Sequence, residues 1–129
     1  MSFLDFLRSR PAPEPGPPPA LAIMRELNQN VVWGREGNRE IFLEDWCDPD
    51  GRWYRLEYQT DQDGRSAKAF CRHNPWGGNP HSAPESHLFS SNEICLGSGT
   101  FRLADAVQRA RYWTTGYSYL REHGTFPNL

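Results

Sequence analysis

Lysine is almost absent from this chain of 129 residues. Lys68 is the only lysine, although lysine and arginine together number 14, so arginine supplies nearly all of the positive charge. The Arg-for-Lys bias of a GC-rich genome is a sufficient explanation for such a count. Arginine stays protonated at almost any pH and is a very poor nucleophile, so the chain offers a single side-chain amine.

The chain also lacks long apolar runs, a large excess of one charge and an even number of cysteines. No run approaches the roughly 18 apolar residues that a membrane span requires, so we expect no membrane partner. The formal net charge of −2 predicts no nucleic-acid partner. The three cysteines, Cys47, Cys71 and Cys95, are an odd number, and the first residues are too interrupted for a signal peptide. We therefore expect free thiols and a cytoplasmic location.

Proline is concentrated near the N-terminus. Residues 11–19 hold six of the 11 prolines and favour an extended spacer, which predicts a Pro-rich tail or linker over residues 1–19. This tail either tethers a short apolar turn in residues 1–10 or presents that turn to a partner. The remaining residues, 20–129, suffice for one domain with a modest core.

The apolar spacing within the domain changes period twice and predicts an α+β fold. An N-terminal helix precedes a four-stranded antiparallel meander, a long irregular active-site loop and a C-terminal helix. The expected helices cover residues 20–28 and 102–123, and the strands and the loop cover residues 31–33, 39–46, 52–59, 66–73 and 74–93. Ile41 and Leu43 share one face of the second strand.

Cys95 is the most informative residue because of what surrounds it. It lies between two aliphatic residues, eight positions after His87, and a glycine-rich loop follows it before the last helix. A thiolate is a strong nucleophile, so an accessible cysteine in this setting predicts an acyl-transfer site. The alternative is a core cysteine, since free cysteine is among the residue types most often buried.

Other chemistry is poorly supported by the spacing of the remaining residues. Cys71, His73, His81 and His87 match neither the Cys-x-x-Cys pair nor the His-x₃₋₅-His pair of zinc sites, so we expect no metal and no cofactor. The sequence also shows no obvious Cys/His/Asn arrangement of a cysteine hydrolase. We expect Cys47 and Cys71 to be core thiols.

The segment around Cys95 resembles the active site of bacterial ubiquitin-conjugating-like enzymes. Ile94-Cys95-Leu96 is similar to the cysteine neighbourhood of that family, and His87-Leu88-Phe89-Ser90 is similar to the histidine, aliphatic, aromatic, serine order of its bacterial members. The eukaryotic pattern differs, because it has Asn at the position of His87 and His-Pro at the position of Glu85-Ser86. The closing residues Gly124-Thr125-Phe126-Pro127 also look bacterial, and the resemblance covers the whole domain after the Pro-rich tail.

This resemblance implies a ubiquitin-conjugating-like (UBC-like) fold and a transferase activity. Cys95 would accept a protein C-terminus from the cysteine of an activating (adenylating) enzyme, and would carry it as a thioester to a target amine. His87 would either donate a hydrogen bond to the oxyanion or hold the loop. Asn92 is a second candidate for the oxyanion contact or else a turn residue, and Ser98 either lines the site or belongs to a flexible joint.

The resemblance also implies partners. Stand-alone bacterial relatives work in anti-phage (CBASS-type) defence, and the C-terminus that they carry belongs to a nucleotidyltransferase, which we favour, or to a ubiquitin-like protein. A scarcity of lysine suits such an enzyme, because amines capture activated acyl groups. Two hypotheses from other classes stay open: a non-catalytic binding module, and a cysteine hydrolase with a histidine within hydrogen-bond reach of Cys95.

Overall fold

The computed structural model describes residues 16–127, in which three helices and four strands are formed. The elements are α1 (Pro19–Leu27), β1 (Val32–Glu36), β2 (Arg39–Cys47), β3 (Trp53–Thr60), β4 (Ala67–His73), α2 (Ala83–Ser86) and α3 (Leu103–His123). The predicted tail, residues 1–19, lies outside the described residues except for its last four positions. Pro19 already belongs to α1, where its fixed φ suits the first helical turn.

The four strands form one antiparallel sheet in the order of the sequence, as the short turns between them predict. The α+β class, the N-terminal helix, the meander and the C-terminal helix are therefore confirmed. Gly64, in the turn between β3 and β4, has a φ of +70°, and a Cβ there would lie 3.2 Å from side-chain atoms of both Ile23 and Leu103. Glycine thus lets this turn approach α1 and α3 closely.

The core lies between the sheet and α3. Helix α3 contacts β3 and β4, and α1 packs against α3. The inward side chains of β3 alternate as expected, and Tyr54, Leu56 and Tyr58 are almost completely buried. The apolar buried positions of α3 recur at helical spacing: Leu103, Ala106, Val107, Ala110, Trp113, Tyr117 and Leu120.

Strand β2 turns an unexpected face to the core. Ile41 and Leu43 do share one face, but they are only half-buried, whereas Phe42 between them is fully buried. Glu40 and Glu44 accompany Phe42 on the inward face and are at most 2 % exposed. Two buried carboxylates in a strand are tolerated because each has hydrogen-bond donors within reach.

Glu44 joins three elements of the fold through its carboxylate. It accepts hydrogen bonds from the Tyr58 hydroxyl at 2.6 Å and from the Arg111 guanidinium at 2.8 and 3.0 Å. A further bond of 3.1 Å comes from the Asn28 side-chain amide at the end of α1. Burial, and then the Glu44 carboxylate, raise the pKa of Tyr58 well above its ordinary value, so this hydroxyl remains a donor.

The long loop before Cys95 contains a short helix that the sequence analysis did not predict. The Ser82 hydroxyl accepts a hydrogen bond from the Glu85 amide, and the Glu85 carboxylate accepts one from the Ser82 amide. This reciprocal capping, with Pro84 in the first turn, begins α2. The Ser-x-x-Glu spacing was the available signal, but no apolar run follows it.

Candidate active site

A tight hairpin carries the chain from α2 to Cys95. Helix α2 ends at Ser86, and His87 caps it in the left-handed conformation with a φ of +53°. Leu88 and Ile94 then pair across the hairpin, and the Phe89 amide donates to the Glu93 carbonyl at 2.9 Å. We refer to residues 88–94 as the cysteine hairpin. Its turn places Cys95 immediately after the second arm.

The cysteine hairpin is joined to the edge of the sheet through β4. Phe70 pairs with Glu93, the Ile94 amide donates to the Ala69 carbonyl at 2.8 Å, and the Cys71 amide donates to the Asn92 carbonyl at 2.9 Å. These bonds form one antiparallel bridge between the hairpin and the edge of the four-stranded sheet. Two backbone hydrogen bonds to β4 therefore hold the backbone leading into the candidate nucleophile.

Cys95 is exposed, so the core-cysteine alternative is wrong. The residue before it, Ile94, is 1 % exposed and packs into the core, and successive residues of an extended segment point to opposite faces. Burial of Ile94 thus directs Cys95 outward. The two remaining cysteines differ from it: Cys47 is half-buried, and burial raises the pKa of the Cys71 thiol to about 12.

His87 contacts Cys95 through its backbone. The Cys95 amide donates to the His87 carbonyl at 2.9 Å, while the imidazole ring packs on Phe126 with the ring centroids 4.4 Å apart. Among residues 16–127, no hydrogen bond joins the Cys95 thiol to a histidine ring. His87 and Cys95 nevertheless line one cavity of about 150 Å³, the helix-side cavity, together with Arg109 and Tyr112 of α3.

Arg109 holds the loop that follows Cys95. Its guanidinium donates to the Leu96 carbonyl at 3.1 Å and lies 4.5 Å from the centre of the Phe101 ring. Gly97 fits beneath this pair with a φ of +123°, and a Cβ there would be 3.3 Å from the Phe101 ring. The glycine is therefore required by both the backbone conformation and the close contact. The sequence analysis did not identify Arg109, which looked like any other polar residue of α3.

A second cavity opens on the other side of Cys95. This sheet-side cavity, of about 200 Å³, is lined by Cys95, Lys68, Glu93, Phe89 and Phe101, among others. The Lys68 ammonium lies 3.8 Å from the Glu93 carboxylate. The sequence shows that Lys68 is the only lysine but does not show that it lies near Cys95. Its position in this cavity depends on how the cysteine hairpin pairs with β4.

The other candidate residues have structural roles or remain at the margin. Asn92 has a φ of +67°, and its backbone amide donates a hydrogen bond to the Phe89 carbonyl at 2.9 Å, which is the geometry of a turn residue. Its backbone carbonyl accepts a hydrogen bond from the Cys71 amide. Ser98 is exposed in the loop after Cys95 and does not line either cavity beside the thiol.

The described residues show no metal-ligand cluster and no membrane-spanning helix, and comparison with known proteins gives no match. Within residues 16–127, no three His, Cys, Asp or Glu side chains are grouped as metal ligands would be. No helix in the described part of the chain has the length and apolarity to cross a membrane. No protein-family model, curated protein or solved structure matches this chain.

Proposed function

We propose that this protein is a ubiquitin-conjugating-like enzyme that carries a protein C-terminus as a thioester on Cys95 and transfers it to an amine. The observation that carries this proposal is the outward thiol of Cys95, open to solvent on a backbone that hydrogen bonds hold on two sides. One backbone bond comes from the Ile94 amide to β4 and the other from the Cys95 amide to His87. A carrier thiol requires this combination of access and fixed position.

The first step is thioester exchange. The Cys95 thiolate attacks the carbonyl carbon of the cargo's thioester on the activating enzyme, the new C–S bond forms, and the donor's thiolate leaves. Because the attacking and leaving groups are both thiols, the exchange needs access and alignment more than a dedicated base. The open helix-side and sheet-side cavities flanking Cys95 give an extended C-terminal peptide room to lie across the thiol.

The second step is aminolysis, in which an amine attacks the thioester and a tetrahedral oxyanion forms. His87 is the residue that we assign to this oxyanion, because it lines the helix-side cavity together with Cys95. Packing of the His87 ring against Phe126 limits its rotation. Asn92 is not assigned this role, since its conformation and hydrogen bonds serve the turn of the cysteine hairpin.

The lack of a thiol–imidazole hydrogen bond in residues 16–127 favours a conjugating enzyme over a hydrolase. A cysteine hydrolase pairs its nucleophile with a base that also activates water in the second half of the reaction. A thioester carrier benefits from the opposite arrangement, because an activated water would destroy its intermediate. The scarcity of lysine protects the intermediate in the same way, because Lys68 is the only side-chain amine of the chain that could capture the acyl group.

The partners that we propose follow the sequence resemblance. An adenylating enzyme loads Cys95, and the carried C-terminus belongs to the nucleotidyltransferase of a bacterial anti-phage operon or to a dedicated ubiquitin-like protein. The reaction takes place in the cytoplasm, where thiols remain reduced.

The test is intact mass spectrometry after incubation with ATP, a candidate adenylating enzyme and each candidate cargo. Wild type should gain the mass of the cargo in a form that added thiol reverses. Cys95→Ser should gain it as an ester that resists thiol, and Cys95→Ala should gain nothing. Cys47→Ser is the matched control and should behave as wild type, because that thiol is half-buried and lines neither cavity beside Cys95.

Two results would overturn the proposal. Unchanged mass for wild type with every cargo would leave a binding module as the better description. Hydrolysis of the activating enzyme's cargo thioester back to the free C-terminal acid, with continued ATP consumption and no thioester accumulating on Cys95, would instead identify a hydrolase.

A further inference from the structure

The chain's single lysine lines the same cavity as its candidate nucleophile. Phe70 pairs with Glu93 and the Ile94 amide bonds to Ala69, which defines the antiparallel register between β4 and the cysteine hairpin. Lys68 lies on β4 between the Phe70–Glu93 pair and the Ala67–Phe101 bridge, and Cys95 directly follows Ile94 where the chain leaves β4.

Burial shows that the two side chains share a face. Ala69 and Ile94 are the buried neighbours of Lys68 and Cys95, and they face the core with exposures of 0 % and 1 %. Because side chains alternate along extended backbone, Lys68 and Cys95 both project to the outer face. Both also line the sheet-side cavity, so the two side chains meet there.

Glu93 completes the arrangement. It is two residues before Cys95, lines the same cavity, and its carboxylate is 3.8 Å from the Lys68 ammonium. This cavity therefore holds two charged side chains. The Lys68 side chain carries an amine, and the Glu93 carboxylate can receive a proton from it. An ammonium group must lose a proton before its nitrogen can act as a nucleophile.

Resting on the proposed function, we propose that Lys68 is an internal acceptor for the acyl group carried by Cys95. The Lys68 ammonium gives a proton to the Glu93 carboxylate, and its nitrogen lone pair attacks the thioester carbonyl carbon. The C–N bond forms, the C–S bond breaks, and the Cys95 thiolate leaves. A second proton passes from nitrogen to solvent, and the product is an isopeptide bond on Lys68.

This transfer has a consequence for the enzyme itself. An isopeptide on Lys68 would place the cargo's C-terminus in the sheet-side cavity, beside the thiol that must be loaded again. Self-conjugation would therefore limit further turnover at Cys95. Retention of one lysine at this position, in a chain that otherwise uses arginine, makes position 68 the single side-chain amine that competes with an external target.

A peptide thioester tests the proposal without an activating enzyme. The probe is a short peptide ending in Gly-Gly, supplied as its mercaptoethanesulfonate thioester and incubated with the full-length protein. Wild type should first gain a thiol-labile adduct on Cys95 and then a thiol-resistant adduct that peptide mapping places on Lys68. The rate of the second step should not change with protein concentration, because the amine and the thioester belong to one chain.

Lys68→Arg keeps the positive charge and removes the nucleophile. This variant should form the Cys95 adduct normally, lose the thiol-resistant adduct at least about tenfold, and keep the thioester correspondingly longer. The matched control is Lys68→Arg combined with Arg25→Lys, which restores one exposed lysine on α1. That double variant should remain as deficient as Lys68→Arg. Glu93→Gln should slow the transfer while leaving loading of Cys95 intact.

The outcomes separate this proposal from the one on which it rests. A Cys95 adduct that never moves to Lys68 overturns the internal acceptor and leaves the conjugating function standing. Equal acylation of Lys68 in Cys95→Ala also overturns it, because the peptide would then react with the lysine directly. Failure of the adenylating enzyme to load Cys95, in the mass experiment above, counts against the conjugating function instead.

Discussion

The short ladder between β4 and the cysteine hairpin has two faces that place cysteine in opposite environments. On the inner face, Cys71 is 5 % exposed, and burial raises its pKa to about 12. On the outer face, Cys95 is open to solvent between two cavities. Cys71 belongs to β4 and Cys95 directly follows the arm of the hairpin that pairs with β4, so a slip of one residue in this arm would exchange a buried position for an exposed one.

This contrast shows that the reactivity of a thiol here depends on the alternation of an extended backbone. Ile94 fills the core and thereby turns Cys95 outward, while Ala69 does the same for Lys68. The candidate site is thus the outer face of a ladder whose inner face stabilises the fold. A measurement or substitution on one of these faces therefore tests how far the other face depends on it.

The largest expected difference is in alkylation of the two thiols. Iodoacetamide should modify Cys95 in the folded protein at least about 10⁴-fold faster than Cys71, because Cys71 reacts only when the core opens. Peptide mapping by mass spectrometry over a time course measures both rates in one sample. In denaturant the two rates should converge. Comparable rates in the folded protein would contradict the orientation of the ladder.

Sequence reasoning recovered the element order but not which faces meet. The 3.6-residue period of α3 and the alternation of β3 come from local burial, so they are visible in the chain itself. The inward face of β2 was not predicted, because the buried Glu44 carboxylate depends on donors from other elements, among them Arg111, 67 residues away. Polar residues on a core face look exposed until their partners are known.

The candidate site was predictable to a similar extent. Cys95 and His87 were identified from their spacing, and the structure brings them to one cavity. Lys68, Glu93 and Arg109 were missed as site residues, because the pairing of the cysteine hairpin with β4 and the packing of α3 decide their positions. Such pairing between distant segments leaves no period in the sequence.

The second prediction weakens the inner face. Ile94→Ala should lower the free energy of unfolding by about 2–5 kcal/mol, because it removes a buried aliphatic side chain and leaves a cavity. Phe89→Ala is the matched control: it shortens a side chain of the same hairpin that is 47 % exposed, and it should cost less than about 1 kcal/mol. Urea denaturation measures both. Equal costs would show that the inner face does not anchor the hairpin.

The third prediction uses the pKa of Cys71. A folded-state pKa raised from 9.0 to about 12 means that unfolding releases a proton above pH 9. The stabilisation is fully present below that pH and is lost as the pH rises toward the folded value, by about 1.4 kcal/mol at pH 10.

Unfolding of wild type and Cys71→Ala at pH 8 and pH 10 isolates this contribution. Wild type should lose about 1.4 kcal/mol more than the variant between the two pH values. The subtraction removes the contributions of Tyr54 and Tyr58, whose pKa values burial also raises. Equal losses of unfolding free energy in the two proteins would mean that the Cys71 thiol is in contact with water in the folded state.

The smallest effect on stability, and the sharpest on the outer site, is expected from Gly116→Ala. A Cβ on this residue of α3 would overlap the Phe126 ring, which packs against His87. The ring must move, while the better helix propensity of alanine returns about 1 kcal/mol, so the net change in unfolding free energy should stay below about 1 kcal/mol.

His87 should nevertheless lose its aromatic neighbour in Gly116→Ala. Its imidazole proton resonances, measured by NMR, should shift as they do in Phe126→Ala, since either change removes the same ring current. Resonances that move only in Phe126→Ala would mean that the ring finds another way to remain on His87, and that α3 does not control the imidazole beside Cys95.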